Sequence, residues 1–328
     1  MLNKCLDTDV KKELFFELQK GIEISDKPFS KIAQKTCLSE KEVMKLIDLF
    51  YENSLIRRFG VVTNNRKIGF KSILCAASVT ENTKSYAEAK LCEQLGITHC
   101  YYREHTQNLW FTLTVHDSEY FDKINELKEV VRPAKMLIFP AIVHYKTSVI
   151  FNLGLKGNEN SKSTVSKKNE KAYSLSEIEK KLIKQLFDLP IRNFSFDKIS
   201  QDIGIKTEDT LAILSRLKEN SVIKRIALLP YHYNLGYNIN TMCVWNVPNT
   251  KIDKLGEKLA AFPDITHCYE RRPCSEFKFN LFAMFHADNE ESEQKTYSEI
   301  LSLDEELKNG VKLRSLKEVK KSSFMPFL

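Results

Sequence analysis

No run of apolar residues in the 328-residue sequence is long enough to cross a bilayer, which takes about 20. The opening residues, MLNKCLDTDVKKELFF, also lack the apolar core and cleavage site of a secretory signal. Both absences give the expectation of a cytoplasmic protein with no membrane partner. None of the eight cysteines (Cys5, Cys37, Cys75, Cys92, Cys100, Cys243, Cys268, Cys274) stands in a C-x-x-C pair, so zinc and iron–sulfur templates have no support. Thiols spread this way in a cytosolic chain are expected to be reduced and mostly buried as small apolar residues. The net charge of +7 suggests an anionic partner without identifying it. Part of the excess is local: KLRSLKEVKK (312–321) holds five basic residues against one acid.

What the chain does have is an internal repeat. SLIRRFGVVTNNRKIGF (54–70) aligns with SVIKRIALLPYHYNLGY (221–237) at an offset of 167 residues. THCYYRE (98–104) aligns with THCYERR (266–272) at 168, and NLWFT (108–112) with NLFAM (280–284) at 172, so the second copy carries four extra residues in that hairpin. Ordered matches at a nearly constant offset mark a duplication.

Each copy reads as a winged helix-turn-helix followed by a ferredoxin-like βαββαβ unit, an α+β fold. In copy one the pattern predicts helices over 7–20, 27–35 and 39–53, the last capped by Ser39 with Glu42 completing a capping box. A wing strand over 55–63 follows. Strands are expected over 70–79, 98–105, 108–116 and within 135–151, with helices over 83–95 and 118–131. In copy two, Ile178, Leu182, Ile183 and Leu186 form the apolar stripe of the first helix. Helices follow over 195–203, 207–220, 250–261 and 291–303, with strands over 239–247, 265–273, 278–287 and 311–323. The domain boundaries are then 1–64 and 65–154 for the first half, 155–172 for a polar, flexible linker, and 173–233 and 234–328 for the second half.

This plan resembles the Lrp/AsnC transcription regulators, which makes duplex DNA the first partner to weigh. Charge argues against it. SEKEVMKLIDLFYEN (39–53) sets two lysines against four acids, and TEDTLAILSRLKEN (207–220) two basic residues against three acids. A recognition helix must approach phosphates, and these are net negative. No DNA binding is expected, and the helix-turn-helix reads as a packing or dimerisation element.

Residues two apart on a strand share a face. His99, Tyr101, Arg103 and His105 therefore line one face of their strand, and His267, Tyr269 and Arg271 the matching face in copy two; Cys100 and Cys268 point into the core. Such a row is costly in an apolar core without partners. A solvated sheet face is the plain alternative, but the row recurs in both copies. In Lrp-like sheets this face packs against a partner sheet, so two fused halves are expected to enclose a cavity of imidazole, phenol and guanidinium groups. The chain is then an intramolecular pseudo-dimer, with a higher homo-oligomer left open. Arg57, Arg58, Lys224 and Arg225 sit at the wing entrance, His232 just before the second sheet unit, and His144, Lys146, Lys317, Lys320 and Lys321 on the last strands.

IRRFGVVTNNRKIGF, THCYYRE and NLWFTL resemble the first subunit of siroheme decarboxylase; LGYNINTMCVWNVP, FPDITHCYERRP, FNLFAMFH and SLKEVKKSS resemble the second. The resemblance covers essentially the whole chain and matches the fused form. It implies removal of carbon dioxide from the C12 and C18 acetate arms of siroheme, giving 12,18-didecarboxysiroheme for heme d1 or heme synthesis. The family's wing often reads N-H-R; here copy one has Asn64, Asn65 and Arg66 and copy two Tyr231, His232 and Tyr233, which tilts the chemistry towards copy two. On this reading Arg103 and Arg271 anchor carboxylates. His267 and His232 are acid/base groups or an axial ligand to the substrate iron, with His99 the copy-one counterpart. Tyr101 and Tyr269 bind substrate with Arg57, Arg58, Lys224, Arg225 and Lys320. No cofactor beyond the substrate is expected. The competing class is a tetrapyrrole-responsive regulator or heme-binding carrier using the same pocket without chemistry.

Overall fold

The computed structural model describes residues 3–132, 134–147, 150–155 and 172–327, so the expected linker over 155–172 lies almost wholly outside the described residues. The first half runs α1 (Asp9–Lys20), α2 (Ser30–Lys35), α3 (Glu40–Glu52), β1 (Ile56–Thr63), β2 (Phe70–Ala77), α4 (Glu81–Glu93), β3 (Ile97–Arg103), β4 (Leu109–His116), α5 (Tyr120–Val130), β5 (Met136–Phe139) and β6 (Ala141–Thr147). The second runs α6 (Glu177–Gln185), α7 (Phe196–Ile203), α8 (Thr207–Glu219), β7 (Ile223–Pro230), β8 (Ile239–Trp245), α9 (Ile252–Ala261), β9 (Ile265–Arg271), β10 (Leu281–Ala287), α10 (Glu290–Leu301) and β11 (Val311–Lys321). The capping box of α3 is formed: the Glu42 amide donates to Ser39 Oγ at 3.3 Å and the Ser39 amide to Glu42 Oε2 at 2.8 Å. Ser176 and Glu179 start α6 in the same way. Among the described residues no helix is long and apolar enough to cross a membrane.

The last strand of each half does not simply close its own unit. Nine strands form one sheet in the order β5-β2-β4-β3-β11-β8-β10-β9-β6. β5 pairs with β2 of its own half, then the chain crosses and β6 pairs with β9 of the other. β11 repeats the move without a break: Val311–Arg314 pairs with β8, and Ser315–Lys321 with β3. The single strand expected within 135–151 is thus two strands parted by Pro140. Proline has no amide proton for a ladder, and here it marks the crossing point; its carbonyl accepts from the Arg272 amide at 3.0 Å. β5 and β6 stand at opposite ends of the order and adjoin in sequence, so the chain itself links the two end strands at Pro140. The sheet's inner face holds a core drawn from both halves, in which Trp110, Phe139, Phe277 and Phe282 pack ring against ring. Phe277 belongs to the hairpin that is longer in the second copy.

The helical layer is exchanged too. The wing strands pair with each other, β1 antiparallel to β7, rather than within their own copies. The Ile22 amide, just past α1, donates to Ile226 of β7 at 2.8 Å; its repeat, Leu189, donates to Phe59 of β1 at 2.7 Å. Gly60 permits that approach, since a Cβ there would lie 2.2 Å from the Phe187 carbonyl oxygen. One apolar core runs through both helix-turn-helix units, with Phe29, Phe59 and Phe194 in mutual ring contact.

Candidate functional site

Strand alternation does what the sequence pattern predicts on β3 and β9. Cys100 and Cys268 are fully buried in the cores beneath the helices. On the opposite face, His99, Tyr101 and Arg103 and their repeats His267, Tyr269 and Arg271 line one cavity of about 450 Å³. The two rows are built alike. Arg103 Nη1 donates to the Leu313 carbonyl and Arg271 Nη1 to the Phe139 carbonyl, both at 2.8 Å, each acceptor lying just before the point where the other half's chain crosses. The guanidinium of Arg271 lies 4.5 Å over the Tyr269 ring and that of Arg103 5.4 Å over Tyr101. His99 stacks towards Tyr101 and His267 towards Tyr269.

Each row is completed by the other half. β11 is bulged twice, so that Ser315, Glu318 and Lys321, three apart, oppose Arg103, Tyr101 and His99. β6 is bulged likewise and sets Ala141, His144 and Thr147 opposite Arg271, Tyr269 and His267. The Tyr101 hydroxyl donates to Glu318 Oε2 at 3.1 Å, whereas Tyr269 meets the His144 ring edge-on at 5.0 Å. Lys321 brings His232 with it, its Nζ 2.6 Å from His232 Nδ1, and His286 lies edge-on to His232 at 5.1 Å. Arg103 Nη2 donates to Asn240 Oδ1 at 3.5 Å. At the corresponding positions of the first half stand Asn65 for His232, and Ser72 and Thr114, whose hydroxyls are 2.8 Å apart, for Asn240 and His286.

The cavity is strongly cationic. Arg57, Arg58, Arg103, Arg225, Arg271 and Lys321 all line it, and among the described residues none has a carboxylate within ion-pair distance. Burial pushes Arg103, Arg225 and Arg271 down to about 10, and Arg58 as well with Arg57 adding to it. Burial brings Lys321 down to about 8. Five of the seven histidines line the cavity. Burial first and neighbouring cations second hold His99, His144 and His232 at about 3 and His267 at about 4, with His286 also well below its ordinary value. These imidazoles are neutral at pH 7, and burial keeps the Tyr101 and Tyr269 phenols protonated. Nε of Arg57, Arg58, Arg225 and Arg271 and Nε2 of His232 are buried without a hydrogen-bond partner among the described residues. Buried donors left open in this number mark a place for acceptors from outside the chain.

Ten of the twelve sequence-predicted site residues line the cavity; Lys224 and Lys320 do not. Lys320 is a correction. The bulges turn it to the helix side, where Nζ donates to the Cys92 and Gln94 carbonyls at the end of α4, and Lys321 takes the cavity position. Lys224 is exposed, its Nζ 3.4 Å from Thr147 Oγ1 at the margin. Arg58, though it lines the cavity, is tied to the Phe187 and Val61 carbonyls. His105 does not continue the row: β3 ends at Arg103, and His105 turns in the hairpin to meet Phe277. Lys146 donates to the Phe262 carbonyl and Lys317 pairs with Glu88. His232, a copy-two residue, sits beside the His99 row rather than the His267 row. Sequence reasoning missed His286 and Asn240. His286 ends the apolar strand FNLFAMFH; its place two residues beyond Met284 on the inward face was the available signal.

The profile of the AsnC-like ligand binding domain matches residues 67–146 and again 234–320. The chain is 31% identical to the siroheme decarboxylase of Hydrogenobacter thermophilus over 309 residues, 93% of this chain and 91% of that one. It is 25% identical to the siroheme decarboxylase NirDL subunit of Paracoccus pantotrophus over 85% of each chain. Its fold matches the crystal structure of the siroheme decarboxylase NirDL, with a TM-score of 0.74 at 27% identity over 98% of this chain and 95% of that one. It also matches the co-complex of NirDL with an iron-uroporphyrin III analogue, with a TM-score of 0.70 at 27% identity over 95% and 93%.

Proposed function

The chain belongs to the siroheme decarboxylase family in its fused, single-chain form, and from that premise we propose how its cavity removes the C12 and C18 acetate carboxyl groups of siroheme to give 12,18-didecarboxysiroheme. The observation that carries the reading is the set of six cations lining the cavity, Arg58, Arg103 and Arg271 of them buried, with no carboxylate within ion-pair distance among the described residues. A flat polycarboxylate supplies the missing charges. No cofactor beyond this substrate is invoked, and its iron is part of the substrate.

Breaking the bond to the carboxyl carbon releases carbon dioxide and leaves the electron pair on the methylene. The macrocycle spreads that charge, a role that cofactors fill elsewhere. Each loss then consumes one proton. The protein's work is to hold the carboxylates, exclude water from the reacting one and supply the proton. Arg103 and Arg271 suit the first task, because one nitrogen of each is fixed to a backbone carbonyl while the planar fork faces the cavity. His99 and His267 suit the last. They are neutral at pH 7, and carboxylates placed among the surrounding cations raise their proton affinity. The Tyr101 and Tyr269 phenols are further donors. Two like rows in one cavity match two like arms, so one row is assigned to each arm. His267 and His232 are the imidazoles considered for the substrate iron.

Anaerobic incubation with siroheme, followed by mass spectrometry, tests the reading: two carboxyl losses are expected. Binding without mass change would instead indicate a tetrapyrrole regulator or carrier. The helix-turn-helix units are proposed to hold the halves together rather than read DNA. Their shared core supports this, as does Asp48 of α3, which pairs with Arg192 of the other half at 2.7 Å. No gel shift is expected with duplex DNA at physiological salt; a nanomolar shift with the gene's own promoter would overturn that.

A further inference from the structure

His232 is held by rings and one ammonium. Tyr233 lies against it at 3.9 Å between centroids, His286 meets it edge-on at 5.1 Å, and Lys321 Nζ is 2.6 Å from Nδ1. The other ring nitrogen, Nε2, is buried and has no partner among the described residues. An ammonium carries three donors and no acceptor, so Nδ1 must accept from it. A neutral imidazole has one proton, which then resides on Nε2. Both protonation states hold at pH 7. Burial, then Lys321 and Arg57, bring His232 to about 3. Lys321 falls only to about 8, burial and Arg57 lowering it and Glu318 opposing them.

We propose that Lys321 is a positioning residue that fixes His232 as its Nε2–H tautomer, so that the imidazole presents a proton donor, not an iron-binding lone pair, to the bound tetrapyrrole. This rests on the reading that the cavity takes siroheme, and it removes His232 from the two groups considered for the iron. The step balances. Nε2 gives its proton to the methylene carbanion while Nδ1 takes one from the Lys321 ammonium; Nδ1 then returns that proton to the amine and Nε2 takes one from solvent, which restores the starting tautomer. The device is built once. The corresponding positions beside the His267 row hold Asn65 and Thr147, which offer no ammonium–imidazole pair.

Long-range proton–nitrogen correlation spectra of the full chain labelled with ¹⁵N-histidine read the tautomer directly. At pH 7 His232 should be protonated on Nε2. Lys321→Met should lose the fixed tautomer, and Lys321→Arg should keep it. With siroheme, Lys321→Met should lower kcat about tenfold, as loss of a hydrogen-bonded supporting group does elsewhere, with KM changed by less than about twofold and Lys321→Arg restoring turnover. With iron-uroporphyrin III bound, His232→Ala should leave the Soret band in place. A wild-type proton on Nδ1, an unchanged tautomer in Lys321→Met, or a Soret shift in His232→Ala would overturn the proposal. If the wild-type protein fails to convert siroheme, the site reading falls, while the spectra still decide the Lys321–His232 arrangement.

Discussion

The His99 row and the His267 row share a scaffold and differ in their company. Both have a histidine, a tyrosine and an arginine on alternate positions, and both arginines rest on a backbone carbonyl of the other half, just before its chain crosses. Around His99 the other half supplies Lys321, Glu318, His232, Asn240 and His286; around His267 it supplies Thr147 and His144. Duplication therefore kept the arginine and histidine proposed to anchor and protonate a carboxylate arm, and changed the groups around them. Neither row is complete within its own half: each is finished by residues from the other.

The largest effect expected concerns the rows themselves. His99→Ala and His267→Ala should each slow loss of one carboxyl group by roughly 100-fold, the scale of a lost acid/base group. The two monodecarboxylated products should then be different regioisomers by mass and NMR. The same isomer from both variants would break the division between rows. Next come the anchors. Arg271→Gln should weaken binding of iron-uroporphyrin III by roughly tenfold, about 1.4 kcal/mol. It should also raise the stability of the empty protein by about 1 kcal/mol, because a buried cation without a counter-charge is unfavourable there. Calorimetric melting with and without ligand checks both signs.

Acidity comes third. The folded values near 3 for His99, His144 and His232 and near 4 for His267 lie below the ordinary 6.5. Between these limits the unfolded chain binds more protons. The stability they contribute is therefore complete above pH 6.5 and lost as pH falls towards 4 and then 3. Denaturant midpoints between pH 7 and pH 4.5 should show it, and bound ligand should soften the slope. The smallest effect belongs to Lys320→Met. It removes a cation from the end of α4, worth about 0.5 kcal/mol, and should leave turnover as it was.

Much of this site was legible from alternation on two strands. THCYYR and THCYER place an imidazole, a phenol and a guanidinium on one face whatever the rest of the chain does. The crossing of β6 and β11 was not legible, since a strand's pattern is the same whichever half it pairs with. The bulges were not legible either. They make cavity-facing residues recur every third position, so nothing in the sequence tells Lys320, which the fold turns away, from Lys321, which lines the cavity. His286 was hidden for a third reason: it sits in a strand whose other inward residues are Phe282 and Met284, and an apolar run reads as core.

The strand exchange has one more consequence. A sheet made from two first halves would carry two identical ends, and one made from two second halves likewise. Since β6 and β11 each belong to the partner half's ladder, and both are encoded in one polypeptide, unlike ends meet in every molecule at a ratio of one to one, independent of concentration. The fusion thus acts as a guard on stoichiometry, sparing the cell the task of matching two separately made subunits.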